Sequence, residues 1–352
     1  MIEKALRRIP LTKLMDLKVD YAFKQMFGSE KNKHITVVFL NAILNRTGRN
    51  TIQEVAFMKQ EFGGEYKDDK QSRLDILVKT QDQQMINIEI QLSNQHDMFK
   101  RTLFYWAQLY TSQLQKGMGY HKLLTTITIN ICNFTVFPQS AYYHSTFYLY
   151  EDKTLKRLVI QDDALEVHFI EMNKFLEQWH RGVLKPLDDI LARWLLLLGM
   201  VDARKKKVYE KIYHELEELA MKDEHLLQAF NVWEELSLSQ EDVIAYQSRL
   251  KYILDEEAKL DDVKHMAEQK GMQKGMQKGM QKGMQKGMQK GREEGKKEGK
   301  KEGKNEAKEE IANDLLRNNM DIDFISKITG LSMERIEEIK KGLIQNNDDQ
   351  LR

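Results

Sequence analysis

The sequence predicts an α/β domain, a mixed sheet flanked by helices, followed by a helical C-terminal extension. Two observations predict it. Over the first 200 residues, short β-branched runs alternate with stretches whose apolar residues recur at helical spacing. Beyond them the helical spacing continues alone, in a chain with only 3 prolines and abundant Lys, Glu, Leu and Gln.

Taken in order, residues 16–46 read as helical, with Val19, Phe23, Met26 and Phe27, then Ile35, Val38, Phe39, Ala42 and Ile43 on buried stripes. Gly28-Ser29 separates two helices. Asp20 and Lys24 are four apart, so they neighbour each other on one helix face, either as a surface ion pair or in a functional role. Residues 55–62 read as a first strand, followed by a polar turn over 63–70. Residues 73–91 read as a β-hairpin. Residues 96–114 read as a helix with Met98, Leu103, Trp106, Leu109 and Tyr110 on its buried stripe, and with Arg101 and Tyr105 facing one way. Residues 123–137 are rich in β-branched side chains and read as a central strand, or two, ended by Pro138. Residues 146–150 and 165–170 read as further strands, and His168 within the second as a packed or hydrogen-bonded side chain. From Asn173 the chain reads as helical, with Pro186 at a helix start and no evident chemistry in residues 200–265.

The hairpin is where chemistry is expected. Its first half, Leu74-Asp75-Ile76-Leu77-Val78, is apolar apart from Asp75, which suggests a strand buried on both faces. Its second half alternates, placing Asn87, Glu89 and Gln91 on one face and the isoleucines and Leu92 on the other. An ionised Asp in a buried strand costs several kcal/mol unless its charge is compensated. A divalent cation shared with Glu89 would compensate it, and oxygen ligands suit Mg²⁺. Alternatively, Glu89 and Gln91 are the wet face of an ordinary hairpin, with Asp75 paired to Arg73 or Lys79.

Asp75, 13 intervening residues and then Glu89-Ile90-Gln91 form a D…E-x-Q pattern. Together with residues 18–27 (KVDYAFKQMF), Arg73-Leu74-Asp75-Ile76-Leu77-Val78 and residues 101–106 (RTLFYW), it resembles the PD-(D/E)XK nucleases, and more specifically the Rpn family of recombination-promoting nucleases, also described as transposases. The resemblance covers roughly residues 15–200 and, more loosely, the tail. It implies a restriction-endonuclease-like core and a metal-dependent DNA endonuclease that hydrolyses phosphodiester bonds, linked to DNA recombination or to defence against foreign DNA. Asp75 and Glu89 would bind the ion, Mg²⁺ with Mn²⁺ or Ca²⁺ as alternatives, and the carbonyl of Ile90 would be a third ligand. Asp20 matches an acidic residue on the first core helix that joins the metal site. Gln91 stands where the wider superfamily has Lys, so it can orient water but brings no positive charge. Arg101 and Lys24 are the expected DNA contacts, Arg101 through its guanidinium fork to phosphate. Double-stranded DNA is the expected partner, and cutting both strands at one place favours a homodimer. The competing expectations are a catalytically inactive nuclease-fold scaffold and a DNA-binding regulator acting through the repeat and tail.

The whole chain sets limits on these readings. With 55 basic and 54 acidic residues the formal charge is +1, so no global field draws the protein onto nucleic acid, and phosphate contacts require a local patch. The single Cys132 excludes an intrachain disulfide framework and fits a cytoplasmic protein. No apolar run has membrane-spanning length, and residues 1–14 lack the pattern of a signal peptide.

Over residues 271–290 the tetrapeptide Gly-Met-Gln-Lys occurs 5 times, followed by related glycine tetrads. A period of four drifts by about 40° per repeat on a 3.6-residue helix, and each glycine costs about 1 kcal/mol there. The expectation is a weakly helical, exposed spacer that becomes helical against a partner, with self-association and phosphate binding by its lysines as functional readings. Residues 323–339 read as helix, glycine turn and helix, with Gly330 ending the first and Ser332 capping the second. Glu334, Glu337 and Glu338 oppose phosphate, which favours a packing or dimerisation element over a DNA reader. The expected organisation is a nuclease-like domain (1–200), a helical annex (201–265), the repeat spacer (266–310) and a helix-turn-helix-like tail (311–352).

Overall fold

The computed structural model describes residues 8–58, 61, 62, 72, 73, 75–94, 97–158 and 163–349. The turn expected at 63–70, the side chain of Arg73 and the helix start at His96 lie outside the described residues. Two compact units are present, Met1–Leu260 and Asp261–Arg352.

The first unit opens with helices α1 (Asp20–Phe27) and α2 (Lys33–Ile43). Strands β1 (Val55–Phe57), β2 (Glu61–Phe62), β3 (Ser72–Arg73), β4 (Ile76–Thr80) and β5 (Met85–Gln91) follow. Helix α3 (Met98–Ser112) leads to β6 (Thr126–Cys132), β7 (His144–Phe147) and β8 (Leu165–Glu171). Then come α4 (Met172–His180), α5 (Ile190–Gly199), the short strands β9 (Val201–Asp202) and β10 (Lys207–Val208), α6 (Glu210–Ala220), α7 (Glu224–Leu238) and α8 (Gln240–Arg317).

The central sheet is mixed, in the order β1-β4-β5-β6-β8-β7. β5, β6 and β8 run parallel, while β1/β4, β4/β5 and β7/β8 pair antiparallel. Helix α3 is the connection that brings the chain from β5 back to parallel β6.

The alternation in β5 divides two buried layers. Ile76 and Val78, Ile86, Ile88 and Ile90, and Ile127, Ile129 and Ile131 enter the main core with α1, α2, α5, α6 and α7. At its centre Phe23, Phe27, Phe39 and Trp194 pack with centroids 4.6–6.3 Å apart. Each such side chain contributes roughly 1.5–3 kcal/mol through burial. The opposite face is buried as well, because α3 covers it. Leu77, Met85 and Leu109 cluster with Tyr105, and Met98, Cys132, Val167 and Phe169 cluster with Leu103 and Trp106. Polar groups trapped under α3 bond to one another: Thr102 Oγ1 donates to Asn130 Oδ1 at 3.0 Å, and Asn130 Nδ2 to the His168 carbonyl at 3.1 Å. The wet hairpin face is thus replaced by a dry one, and Asn87 and Glu89 are only 1% and 4% exposed.

Several local expectations shift. The strand expected over 55–62 divides, with β1 on the main sheet and β2 pairing with β3. The run 123–137 yields one strand, which stops at Cys132, six residues before Pro138. Pro186 lies in a turn ahead of α5, whose cap is Asp189, its carboxylate accepting from the Ala192 amide at 3.0 Å. The stretch read as wholly helical after residue 200 begins with the β9/β10 hairpin. Its helices contribute Ile212, Leu216, Phe230 and Trp233 to the main core. His168 is buried and bonds to His144, Thr146 and Glu166, as a packed side chain should.

The repeat is more ordered than expected. α8 runs without interruption for 78 residues through every glycine tetrad. Three of each four residues there are good helix formers, which offsets the cost of the glycines. In the second unit α9 (Ile322–Thr329) ends at Gly330, whose φ of +66° is the left-handed cap a glycine permits. Ser332 Oγ accepts from the Arg335 amide at 3.3 Å to open α10 (Met333–Asp349). Ala312, Ile325 and Ile336 form a small core with Leu315, Leu316 and Ile322. Among the described residues, no helix is long and apolar enough to cross a membrane.

Candidate active site

The register of β4 and β5 pairs Ile76 with Ile88, so Asp75, just ahead of β4, stands beside Glu89 near the carboxyl end of β5. The carboxyl ends of parallel strands are where α/β sheets place ligand sites. The two residues are tied through backbone: the Ile90 amide donates to Asp75 Oδ2 at 3.0 Å, and the Asp75 amide lies 3.4 Å from Glu89 Oε1. Asn87 Nδ2 approaches Glu89 Oε1 at 3.3 Å.

Two buried carboxyls this close cannot both ionise cheaply. Burial, followed by the charge of Asp75, pushes Glu89 from its ordinary 4.5 up to about 8, against the opposing pull of Arg101. Asp75 is raised for the same first reason, burial, and is held back by Lys24, whose Nζ lies 3.0 Å from Oδ1. Arg101 is 4.0 Å from Glu89.

A cleft of about 450 Å³ opens on this pair, and all seven residues singled out from the sequence line it: Asp20, Lys24, Asp75, Glu89, Ile90, Gln91 and Arg101. Elements far apart in the chain supply them. α1 gives Asp20 and Lys24, the hairpin gives Asp75 to Gln91, and α3 gives Arg101. Asp20 and Lys24 do not pair with each other. Lys24 reaches Asp75, and Asp20 is taken by Arg249, whose Nε lies 2.8 Å from both carboxylate oxygens and whose Nη2 lies 2.6 Å from Oδ2. Lys18, at the start of the KVDYAFKQMF motif, is a structural cation: it is buried on Asp16 at 2.7 Å and also bonds to the Leu198 carbonyl.

Sequence reasoning missed the wall that α8 contributes. Arg249, Tyr252, Ile253 and Glu256 recur at helical spacing and line the cleft together, with the Arg249 guanidinium 5.1 Å from the Tyr252 ring centroid. That spacing was the available signal, but the 229 positions that separate Asp20 from Arg249 hid its target. Among the described residues, no group of three His, Cys, Asp or Glu side chains is placed to hold a metal ion. Asp75 and Glu89 stand as a pair.

A mixed sheet carrying a buried carboxyl pair at its strand ends, ringed by Lys24, Arg101 and Arg249, defines an α/β protein with an acidic site set among cations. The chain belongs to the family described as PD-(D/E)XK nuclease family transposase, whose model matches residues 17–263. That membership implies nuclease or transposition-related activity on DNA, and hydrolysis as the reaction class. The match extends past residue 200 and takes in Arg249. No match was found among curated proteins or among solved structures.

Proposed function

We propose that this protein is a divalent-metal-dependent DNA endonuclease whose site is built on Asp75 and Glu89. The observation that carries the reading is that two adjacent carboxyls, both pushed toward the neutral form by burial, face a cleft walled by Lys24, Arg101 and Arg249. A divalent cation would compensate the negative charge that burial disfavours on both groups. The donor set fits one: hard oxygen ligands, two carboxylates, and space for the waters that Mg²⁺ retains. Mn²⁺ offers the same oxygen preference. When bound, the ion supplies Lewis-acid polarisation of the scissile phosphate and a more acidic water.

The chain's own residues do the rest. Asp75 and Glu89 would hold the ion, with the Ile90 carbonyl as a further ligand. The Ile90 amide fixes Asp75, so the ligand is oriented by backbone rather than by a mobile side chain. Gln91 lines the cleft with an amide that can hold a water by both donor and acceptor, but it contributes no charge to the transition state. Low turnover is the expected consequence. Arg101, Arg249 and Lys24 present cations to the phosphates of double-stranded DNA. Asp20 acts as the seat that keeps Arg249 at the cleft and stands ready to join the ion. DNA recombination or defence against foreign DNA is the setting we assign to this activity.

Calorimetric titration of the protein with Mg²⁺ and Mn²⁺ tests the proposal without relying on turnover. The wild type should bind, and Asp75→Asn and Glu89→Gln should each lose most of that affinity while keeping their circular dichroism. Equal binding by all three, or none by the wild type, would favour an inactive scaffold.

A further inference from the structure

Residues 267–314 keep a four-residue frame along α8. One row is small: Ala267, glycine at every fourth place from 271 to 303, and Ala307. The row three residues further on changes sign once. Lysine holds every fourth place from 270 to 290, six in all, and an acid holds every fourth place from 294 to 314, again six, of which the last is Asp314.

Residues four apart are neighbours on a helix, so within this row each run is a ladder of like charges, unfavourable by about 0.2–0.5 kcal/mol per contact. Only the junction is favourable, Lys290 Nζ lying 3.7 Å from Glu294 Oε1. A single helix is therefore charged against itself along this row. The same row is complementary to its own reverse. If a second copy runs antiparallel with residue numbers summing to 584, Lys290 faces Glu294, Lys286 faces Glu298, and so on out to Lys270 and Asp314. Six pairs form and the two-fold axis repeats them. A parallel copy instead sets the lysines against the methionine row and leaves their repulsion in place.

The face is open for such a partner. Met272 to Met288 are 67–79% exposed along the row beside the glycines, and a Cβ built on each glycine from Gly271 to Gly303 meets nothing within 4 Å. Because a four-residue frame drifts in the right-handed sense on a 3.6-residue helix, a partner following it crosses right-handed, near the −40° of close small-residue pairs.

We propose that α8 pairs with α8 of a second copy of this chain, antiparallel and right-handed, in a register centred on residue 292 and fixed by the switch from lysine to acid. This does not rest on the nuclease reading.

Sedimentation velocity of the full chain at low salt tests it. The wild type should dimerise. Glu294→Lys with Glu298→Lys and Glu302→Lys turns six cross-helix attractions into repulsions and should weaken the dimer by about 100-fold, helicity being retained. Adding Lys282→Glu, Lys286→Glu and Lys290→Glu restores complementarity only in the antiparallel register and should recover the dimer. A dimer indifferent to the first variant, or one the six-fold swap fails to recover, would overturn the proposal. So would a monomeric wild type whose variants change only affinity for duplex DNA, since the lysines would then serve phosphate.

Discussion

Replacing Glu89 with Gln removes a carboxyl whose ionisation burial opposes, and the consequence should be visible as stability. Moving the Glu89 carboxyl from 4.5 to about 8, at about 1.4 kcal/mol per tenfold change in acidity, is on the order of 5 kcal/mol. The sign follows from proton counting. Between those two values the folded protein binds the proton and the unfolded chain has released it, so stability is whole below pH 4.5, falls as pH rises through about 8, and then levels. Asp75, raised by the same burial, acts in the same direction. Urea unfolding of metal-free protein from about pH 5 to 9 should show the wild type losing several kcal/mol and Glu89→Gln losing much less. Mg²⁺ at the alkaline end should restore the wild type, by about 2.7 kcal/mol at 100 times its Kd, and leave the variant unchanged. Parallel pH profiles for the two proteins would refute the argument, because Glu89 could not then be a buried, repelled carboxyl.

Two further predictions concern α8 and the core. Arg249→Ala should weaken duplex binding measured by fluorescence anisotropy in the absence of cleavage, and should lower the slope of log affinity against log salt by about 1, as loss of one phosphate contact does. Trp233 is fully buried and donates from Nε1 to the Met15 carbonyl at 2.9 Å, so Trp233→Ala should cost about 3–5 kcal/mol in chemical denaturation, with urea unfolding as the check.

The sequence was most informative where periodicity and chemistry coincide. The alternation in β5 correctly divides isoleucines from Asn87, Glu89 and Gln91, yet it does not reveal that α3 lies over the polar side and dries it. Burial of that face is a tertiary fact, and it is what changes Glu89 from a surface acid into a group with a raised pKa. The seven candidate residues converge on one cleft because the motifs that suggested them lie on elements packed around the end of β5. Arg249 is illegible for the opposite reason: its spacing with Tyr252, Ile253 and Glu256 marks a helix face but not what that face covers, because its partner Asp20 is 229 positions away. In the repeat the glycine penalty suggests a weak helix, yet the propensities of Met, Gln, Lys and Glu outweigh it and α8 is continuous. The cap geometry of the tail was legible because Gly330 and Ser332 act on their own backbone.

The central claim is that the Asp75 and Glu89 pair hydrolyses DNA. Its most direct test is incubation of purified wild type and Asp75→Ala with supercoiled plasmid in Mg²⁺, Mn²⁺ or EDTA, following nicked and linear product. Cleavage by the wild type alone, and only with metal, is the predicted result. Equal cleavage by both proteins, or none by a folded wild type, would contradict it.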